Sequence, residues 1–252
     1  MGKKILLAGE SWTSYTTHVK GFDPFYTSVY EEGAETLIDA FEQSGYAVTY
    51  LPNHRAIADF PFTVEEMNRY DMVVLSDIGS NTLLLHPDTF GRSLRKPNRC
   101  QTIRDYVRDG GALLMVGGYM VFSGVDAKAK YGRTAVQEVL PVKCLDYDDL
   151  MEHPEGVTPV VLHDHPALSN VPKDWPFFLG YNRVLPIEGC DVVMTVEGDP
   201  FLAFGDFGNG RACAFMSDCA PHWGPPEFVN WEGYAPLWKG IADYLTEKRS
   251  RK

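Results

Sequence analysis

The segment Gly110-Gly-Ala-Leu-Leu-Met-Val-Gly-Gly-Tyr119 decides the fold of this chain. Its short apolar run is typical of a strand buried on both faces, and the glycine pair that follows is typical of a sharp turn after that strand. In α/β enzymes an elbow of this kind carries a Cys or Ser that points out of the sheet toward the substrate. Here the tip offers Gly117, Gly118 and Tyr119, so the sequence predicts an elbow without its nucleophile.

The segments before the elbow alternate between strand and helix patterns. Residues 4–9, 46–51 and 71–76 have the short apolar runs of parallel strands. The capping-box patterns Ser28-Val-Tyr-Glu31 and Thr63-Val-Glu-Glu66 predict the starts of two helices. This alternation predicts a parallel sheet with right-handed crossovers and helices on both faces.

The second half of the chain is richer in Pro and acidic residues. Strand-like pieces at residues 158–162, 192–196 and 200–204 predict an antiparallel elaboration at about 125–205. A last strand at 211–216 and a final helix follow. With no low-complexity linker in sight, we expect residues 1–252 to form a single domain.

Composition narrows the functional classes. The chain has 252 residues, 44% of them hydrophobic, which is enough for a substantial core. No apolar run approaches the roughly 20 residues of a membrane helix, and no export signal is visible, so we expect no membrane association. Five scattered cysteines are typical of a reduced cytoplasmic protein. A net charge of −11 disfavours nucleic-acid binding, and we expect no specific role for the basic tail at 248–252.

Polar residues follow the predicted strands at the edge where open parallel sheets bind ligands. We expect the loops after the first, third, fourth and last strands to line one crevice that binds a small molecule. The candidate ligand-binding residues are Glu10, Ser11, Trp12, Asp77, Gly79, Gly117, Gly118, Tyr119, Asn182, Ser217, Asp218 and Trp223. Two alternatives stay open, because Glu10 would also favour a helix N-terminus and Asp77 would also cap a turn.

Cys219 and His222 are the candidate catalytic residues. Three positions apart in one loop, they suggest a thiolate activated by an imidazole. The alternative is structural, since Cys is as often a small buried hydrophobe, and His222 could simply anchor the loop beside Trp223.

Two further clusters could be interpreted as metal sites. They are the pair His163 and His165, and the acidic group Asp146, Asp148 and Asp149. A histidine before Pro166 is typical of a turn, and an acidic run is typical of a solvated loop. We therefore predict no metal and no cofactor.

Together, several segments resemble the class I glutamine amidotransferase superfamily, and most of all a branch of amidotransferase-like proteins that lacks the elbow cysteine. They are Gly9-Glu-Ser-Trp12, Leu75-Ser-Asp-Ile-Gly79, the elbow with Phe122-Ser-Gly124, Leu179-Gly-Tyr-Asn182 and Ser217-Asp-Cys-Ala-Pro-His-Trp223. The resemblance spans nearly the whole chain. It implies a flavodoxin-like, Rossmann-like three-layer α/β/α sandwich.

The resemblance also defines what is missing. Class I amidotransferases hydrolyse glutamine with a Cys at the elbow, a His after a late strand and a Glu two residues beyond that His. Here the elbow is Gly117-Gly118-Tyr119, and Gly224 stands two residues after His222. His222 alone matches the triad, so the resemblance implies a degenerate active site without standard glutaminase activity.

Three hypotheses follow. The first is a protein without glutaminase chemistry that binds a small ligand or a protein partner, with the glycine elbow allowing close approach of an anion or carbonyl. The second is a non-standard hydrolase or amide-transfer enzyme that uses His222 with Cys219 or nearby carboxylates. The third is an assembly module that forms a homo-oligomer or binds a protein partner through exposed aromatic residues in the region from Trp223 to Trp238.

Overall fold

An eight-stranded sheet forms the centre of the molecule in the computed structural model, which describes residues 2–247. The described strands are β1 (Lys4–Gly9), β2 (Ser11–Lys20), β3 (Asp23–Glu32), β4 (Ala47–Leu51), β5 (Met72–Ser76), β6 (Ala112–Val116), β7 (Val142–Cys144), β8 (Leu150–Val157), β9 (Val160–Val161), β10 (Phe178–Asn182), β11 (Val184–Pro186), β12 (Asp191–Val196), β13 (Asp199–Phe207) and β14 (Gly210–Phe215). The described α-helices are α1 (Glu35–Gln43), α2 (Asn53–Asp59), α3 (Val64–Met67), α4 (Ser80–Leu84), α5 (Pro87–Arg92), α6 (Arg99–Arg108), α7 (Pro226–Val229) and α8 (Tyr234–Thr246). Four 3₁₀ turns lie between β6 and β10.

The strand order is β4-β1-β5-β6-β14-β13-β12-β9. Neighbours from β4 to β14 are parallel, and β13, β12 and β9 continue the sheet in antiparallel register. The predicted sandwich, with its parallel sheet and its antiparallel elaboration in the second half, is confirmed. Short two-stranded pairs, β8 with β10 and β7 with β11, complete the elaboration.

The strand sequences explain why the sheet is covered on both faces. Every residue of β5 and β6 is buried, as expected for continuous apolar strands between two helical layers. One core packs α1 and α8 against the sheet through side chains such as Phe41 and Trp238. The other packs α6 through Ile103 and Tyr106. The predicted capping box at Thr63 is present at the start of α3.

The predicted helix start at Ser28 is wrong. Residues 11–32 form a two-stranded antiparallel arm, β2 with β3, and α1 begins only at Glu35. The segment is rich in Thr, Tyr and Val, which favour extended backbone, and cross-strand pairing with β2 places Ser28 opposite Tyr15. The capping-box letters occur there without a helix to cap.

One face of the arm carries a single charged side chain, Glu32, which lies opposite Ser11 at the base of the arm, and the rest of this face is uncharged. The uncharged part consists of Thr13, Tyr15, Thr17 and Val19 on β2, opposite Tyr30, Ser28, Tyr26 and Pro24 on β3. Tyr15 and Tyr26 are 83% and 73% exposed. The aromatic surface expected between Trp223 and Trp238 is wrong, because both indoles are buried. The homo-oligomer or protein partner itself stays a prediction.

Four other expectations from the sequence concern a strand, the domain organisation, the basic tail and the membrane. The predicted strand at 158–162 is reduced to Val160–Val161. The single domain at 1–252 stays a prediction, and the tail at 248–252 lies outside the described residues. Within residues 2–247, no helix has the length and apolar character needed to cross a membrane.

Candidate functional site

Four adjacent strands deliver their carboxyl ends to one edge of the sheet. These are β1, β5, β6 and β14, and the polar loops that follow them meet there. Glu10 and Asp77 directly follow β1 and β5 with φ angles of 49° and 42°. Non-glycine residues seldom adopt this left-handed backbone, which concentrates at functional sites and tight turns.

The side chain of Glu10 is buried at the base of this edge. Its Oε2 accepts a hydrogen bond of 2.5 Å from Ser76 Oγ and lies 3.7 Å from Cys219 Sγ. The thiol is also 3.6 Å from Ser76 Oγ. Burial raises the pKa of Glu10 and that of Cys219 well above their usual ranges, so both groups favour their neutral forms.

His222 stands at the rim, with its side chain 44% exposed, above the buried carboxyl of Asp218. Its Nδ1 lies 3.7 Å from Asp218 Oδ2, which is ion-pair distance and too long for a hydrogen bond. The interaction with Asp218 raises the pKa of His222. Burial raises the pKa of Asp218 to about 6 and also raises the pKa of Asp77.

The backbone amides of the elbow already have acceptors. Gly118 N donates to Asn182 Oδ1 at 2.9 Å, and Met120 N donates to Asp77 Oδ1 at 2.6 Å. Asn182 Nδ2 returns a hydrogen bond of 3.0 Å to the Gly118 carbonyl. These amides would be the donors of an oxyanion hole in an elbow enzyme. Since side chains of this chain accept from them, an anion or carbonyl cannot be bound there without displacing Asn182 or Asp77.

Aromatic side chains surround His222. Ring centroids of Trp12 and Tyr119 lie 4.9 and 5.9 Å from the imidazole, and Trp223 lies 5.3 Å from Tyr119. Glu152 accepts from both Tyr119 Oη, at 2.7 Å, and Trp223 Nε1, at 3.0 Å. The rim therefore combines aromatic faces with carboxylates.

Asp149 supports the elbow from below and was misread in the sequence as part of a solvated loop. It is 1% exposed and accepts hydrogen bonds from Asn182 Nδ2 and from the backbone amides of Ser123 and Gly124. Burial raises its pKa to about 6. Asp149 therefore fixes Asn182, which in turn fixes Gly118.

Four of the predicted site residues make structural contacts. Ser11 Oγ accepts from the backbone amide of Asn53, and Ser217 Oγ donates to the Gly180 carbonyl. Gly117 lies so close to the backbone of Met216 that an added Cβ would be only 2.6 Å from its carbonyl carbon. Gly79 caps the N-terminus of α4.

The proposed pairing of Cys219 with His222 has no contact to support it among the described residues. The thiol faces Glu10 and Ser76, and the imidazole faces Asp218, Trp12 and Tyr119. The two residues lie on different levels of the site, one at its base and one at its rim.

The other sequence clusters lie elsewhere. His163 pairs with Asp191 at 2.8 Å, and the buried His165 accepts from the Ala167 amide through its Nδ1. A cavity of about 490 Å³ lies beside α1 and α8, and a smaller one of about 120 Å³ lies near Ser123 and Arg133. Neither borders the rim around His222.

Comparisons with known proteins identify the family of this chain. The family model described as "Putative glutamine amidotransferase" matches residues 4–247. The chain belongs to this family. Cytoplasmic Protein STM3548 from Salmonella typhimurium is 44% identical, with a TM-score of 0.93 over 96% of this chain and 98% of that one. Cytoplasmic Protein STM1381 from Salmonella typhimurium LT2 is also 44% identical, with a TM-score of 0.94 over 97% and 100%.

A more distant likeness concerns the fold alone. PurLQS from Thermotoga maritima is 14% identical, with a TM-score of 0.52 over 97% of this chain and 100% of that one. No curated protein matches the chain significantly.

Within this glutamine amidotransferase family fold, sequence reasoning missed four residues of the site. Ser76, Asn53, Asp149 and Glu152 all hold candidate residues in place. Ser76 had a usable signal, since it is the only polar residue of the apolar strand β5. The others follow from long-range contacts that no local pattern marks.

Proposed function

We propose that this family member does not hydrolyse glutamine through an elbow thiol, and that it binds a small neutral or positively charged molecule at the rim around His222. The observation that carries the proposal is the engagement of Gly118 N and Met120 N by Asn182 and Asp77. An elbow without a thiol and without free oxyanion donors lacks both parts of the amide-hydrolysis machinery.

The charge of the ligand follows from the groups around the rim. Glu31 accepts from Trp12 Nε1, and Glu152 accepts from Tyr119 and Trp223. Asp218 and Asp77 lie beneath. A free carboxylate or phosphate would meet several acidic groups and one imidazole, so an anionic ligand is disfavoured.

The aromatic rings supply the complementary surface. Trp12 and Tyr119 flank the imidazole with tilted ring planes, 54° and 60° from it. Aromatic faces combined with carboxylates are a common recognition surface for amines and guanidinium groups, worth about 0.5–2 kcal/mol per contact. This supports a cationic ligand most strongly and a neutral amide next.

We also infer that the protein works in the cytoplasm. The two Salmonella relatives, both named as cytoplasmic proteins, support this location. All five cysteines are free of disulfides, as expected in a reducing compartment.

Three probes of equal length test the charge preference: butylammonium, butyramide and butyrate, titrated at constant ionic strength. We expect tryptophan fluorescence to change with the first two and not with butyrate. Trp12→Ala should weaken butylammonium binding roughly tenfold. Trp175→Ala is the matched control, because Trp175 packs against Trp231 at 4.9 Å and away from the rim.

Two results would overturn the proposal. One is binding of butyrate alone. The other is release of ammonia from glutamine by the purified protein, abolished in His222→Ala.

A second candidate is hydrolysis in which His222, at ion-pair distance from Asp218, activates water. The exposed imidazole next to a buried carboxylate favours it, since this pairing orients a general base. Hydrolysis of simple esters or amides, lost in His222→Ala and retained in His54→Ala, would establish it. Hydrolysis of a panel that is unchanged in His222→Ala would exclude it.

A further inference from the structure

We propose that Glu10, Asp218 and Cys219 form a binding site for a divalent transition-metal ion such as zinc. The three side chains each offer one donor atom, and these atoms all lie within 4.8 Å of one another. All three side chains are buried, at 0 to 1% exposure. The inference concerns the base of the site and does not depend on the ligand proposed for the rim.

The separation of the donors suits zinc. Cys219 Sγ lies 3.7 Å from Glu10 Oε2. A tetrahedral zinc ion with a sulfur at about 2.3 Å and a carboxylate oxygen at about 2.1 Å would place those two atoms about 3.6 Å apart. The thiolate and the Glu10 carboxylate can therefore share one ion with little movement.

Unpartnered oxygens on two of these side chains are an independent sign of a missing ligand. Within residues 2–247, neither Glu10 Oε1 nor Asp218 Oδ2 has a hydrogen-bond partner, although both atoms are buried. Asp218 Oδ2 has only the 3.7 Å ion pair with His222 Nδ1. Leaving a buried polar atom unpaired costs about 1–3 kcal/mol, and more for a charged group. A metal ion bound by both oxygens of Glu10 and by Asp218 Oδ2 would satisfy both of these atoms.

Hydrogen bonds from neighbouring residues hold the three metal-donor residues in position. Ala220 N donates to Asp218 Oδ1, and Tyr234 Oη donates to the Cys219 carbonyl. Ser76 Oγ donates to Glu10 Oε2, which is the role that outer groups play around metal ligands. Each of these contacts orients a donor residue from outside the cluster.

The excess of carboxyl groups at the base of the site also favours a bound cation. Within residues 2–247, Asp218 is the one of the three carboxyl groups of Glu10, Asp77 and Asp218 that has an ion pair, with His222. Glu10 and Asp77 accept hydrogen bonds from the neutral groups Ser76 Oγ and Met120 N. A divalent ion would compensate the buried negative groups, and protons are its competitor. Three protein donors leave a fourth position for water or for a group that enters from the rim.

Cobalt provides the test, because a thiolate bound to Co²⁺ gives a charge-transfer absorption band that carboxylates do not give. The intact protein is stripped with a chelator, dialysed and titrated with Co²⁺. We expect the band to saturate at one ion per chain and to be displaced by Zn²⁺.

Paired cysteine variants locate the site. Cys219→Ser should lose the band, whereas Cys190→Ser, which removes a partly exposed cysteine elsewhere, should keep it. Glu10→Gln and Asp218→Asn should keep the thiolate band while weakening Co²⁺ binding roughly tenfold or more. Circular dichroism checks each fold, and the two carboxyl variants keep the test decisive if Cys219→Ser does not fold.

The proposal is overturned if the wild type shows no thiolate band at stoichiometric Co²⁺, or if the band persists in Cys219→Ser. It is also overturned if both carboxyl variants bind Co²⁺ as tightly as the wild type.

Discussion

Asn182 and Gly118 are joined by two hydrogen bonds, one in each direction. Gly118 N donates to Asn182 Oδ1 at 2.9 Å, and Asn182 Nδ2 donates to the Gly118 carbonyl at 3.0 Å. The side-chain amide of Asn182 thus pairs with the backbone of Gly118 in the way in which a residue of a neighbouring strand would. It engages the Gly118 amide, which is therefore not free to donate to a ligand.

Replacing Asn182 with Ala should destabilise the protein by about 2–4 kcal/mol, because three buried polar groups lose partners together. The third is Asp149, which also accepts from Asn182 Nδ2. Urea unfolding measures the change. Asn170→Ala, at an exposed position, should stay within about 0.5 kcal/mol of the wild type. Equal stability of the two variants would contradict the assignment.

Restoring a thiol at the elbow should not restore glutaminase activity. In Gly118→Cys the new Cβ would lie 3.2 Å from Asp77 Oδ1, on a backbone with a φ of 144°. We expect a loss of about 1–3 kcal/mol and no ammonia release from glutamine. Gly91→Cys introduces the same side chain on α5 where nothing lies within 4 Å, and its stability should be unchanged or slightly higher. Glutamine turnover by Gly118→Cys would show that the elbow amides can be freed.

The stability difference between the wild type and Asp149→Asn should depend on pH. The pKa of Asp149 is raised from 3.8 to about 6 in the folded protein, so the folded state takes up a proton before the unfolded state does. The wild type therefore gains stability from this group as the pH falls through 6 toward 3.8, and loses it as the pH rises. The Asn variant lacks this gain. Its free energy of unfolding relative to the wild type should therefore be about 1 kcal/mol lower at pH 5 than at pH 7. Urea unfolding at pH 5 and pH 7 measures this difference. A variant that comes closer to the wild type in stability at pH 5 would contradict the prediction.

Gly180 allows Trp223 to pack at the rim. A Cβ at position 180 would lie 2.3 Å from Trp223 Nε1, so Gly180→Ala must displace the indole that donates to Glu152. We expect a shift in tryptophan emission and a loss of about 1–3 kcal/mol. Gly91→Ala should neither shift the tryptophan emission nor lower the free energy of unfolding. An unshifted emission spectrum would mean that the indole does not pack as described.

The sequence predicts the central sheet well because its strands are continuous apolar runs, and β6 begins and ends where the pattern places it. The arm was missed because Ser28 and Glu31 imitate a helix start, although the alternation of Thr, Tyr and Val around them favours extended backbone. Asp149 was missed for another reason. Its partners, Asn182 and the amides of Ser123 and Gly124, lie more than twenty residues away along the chain, where local patterning carries no information.

The sequence predicts where the candidate site lies, but it does not predict which side chains contact one another there. Parallel strands had to place Glu10, Asp77 and Asp218 at one edge. The orientation of Cys219 toward Glu10 and Ser76 depends on the way in which the last strand enters the sheet. For that reason the close spacing of Cys219 and His222 in the sequence suggested a contact between them that the described residues do not make.

The contact between Cys219 and Glu10 joins positions 209 residues apart, which has a consequence for the order of folding. Contacts that close such long loops form late, because much chain entropy is lost before they are gained. The first strand and the last must both be in the sheet before the thiol is enclosed. During synthesis, this centre cannot assemble until the segment from β1 to Cys219 has left the ribosome, and shielding of Cys219 from thiol reagents therefore marks the closure of the sheet.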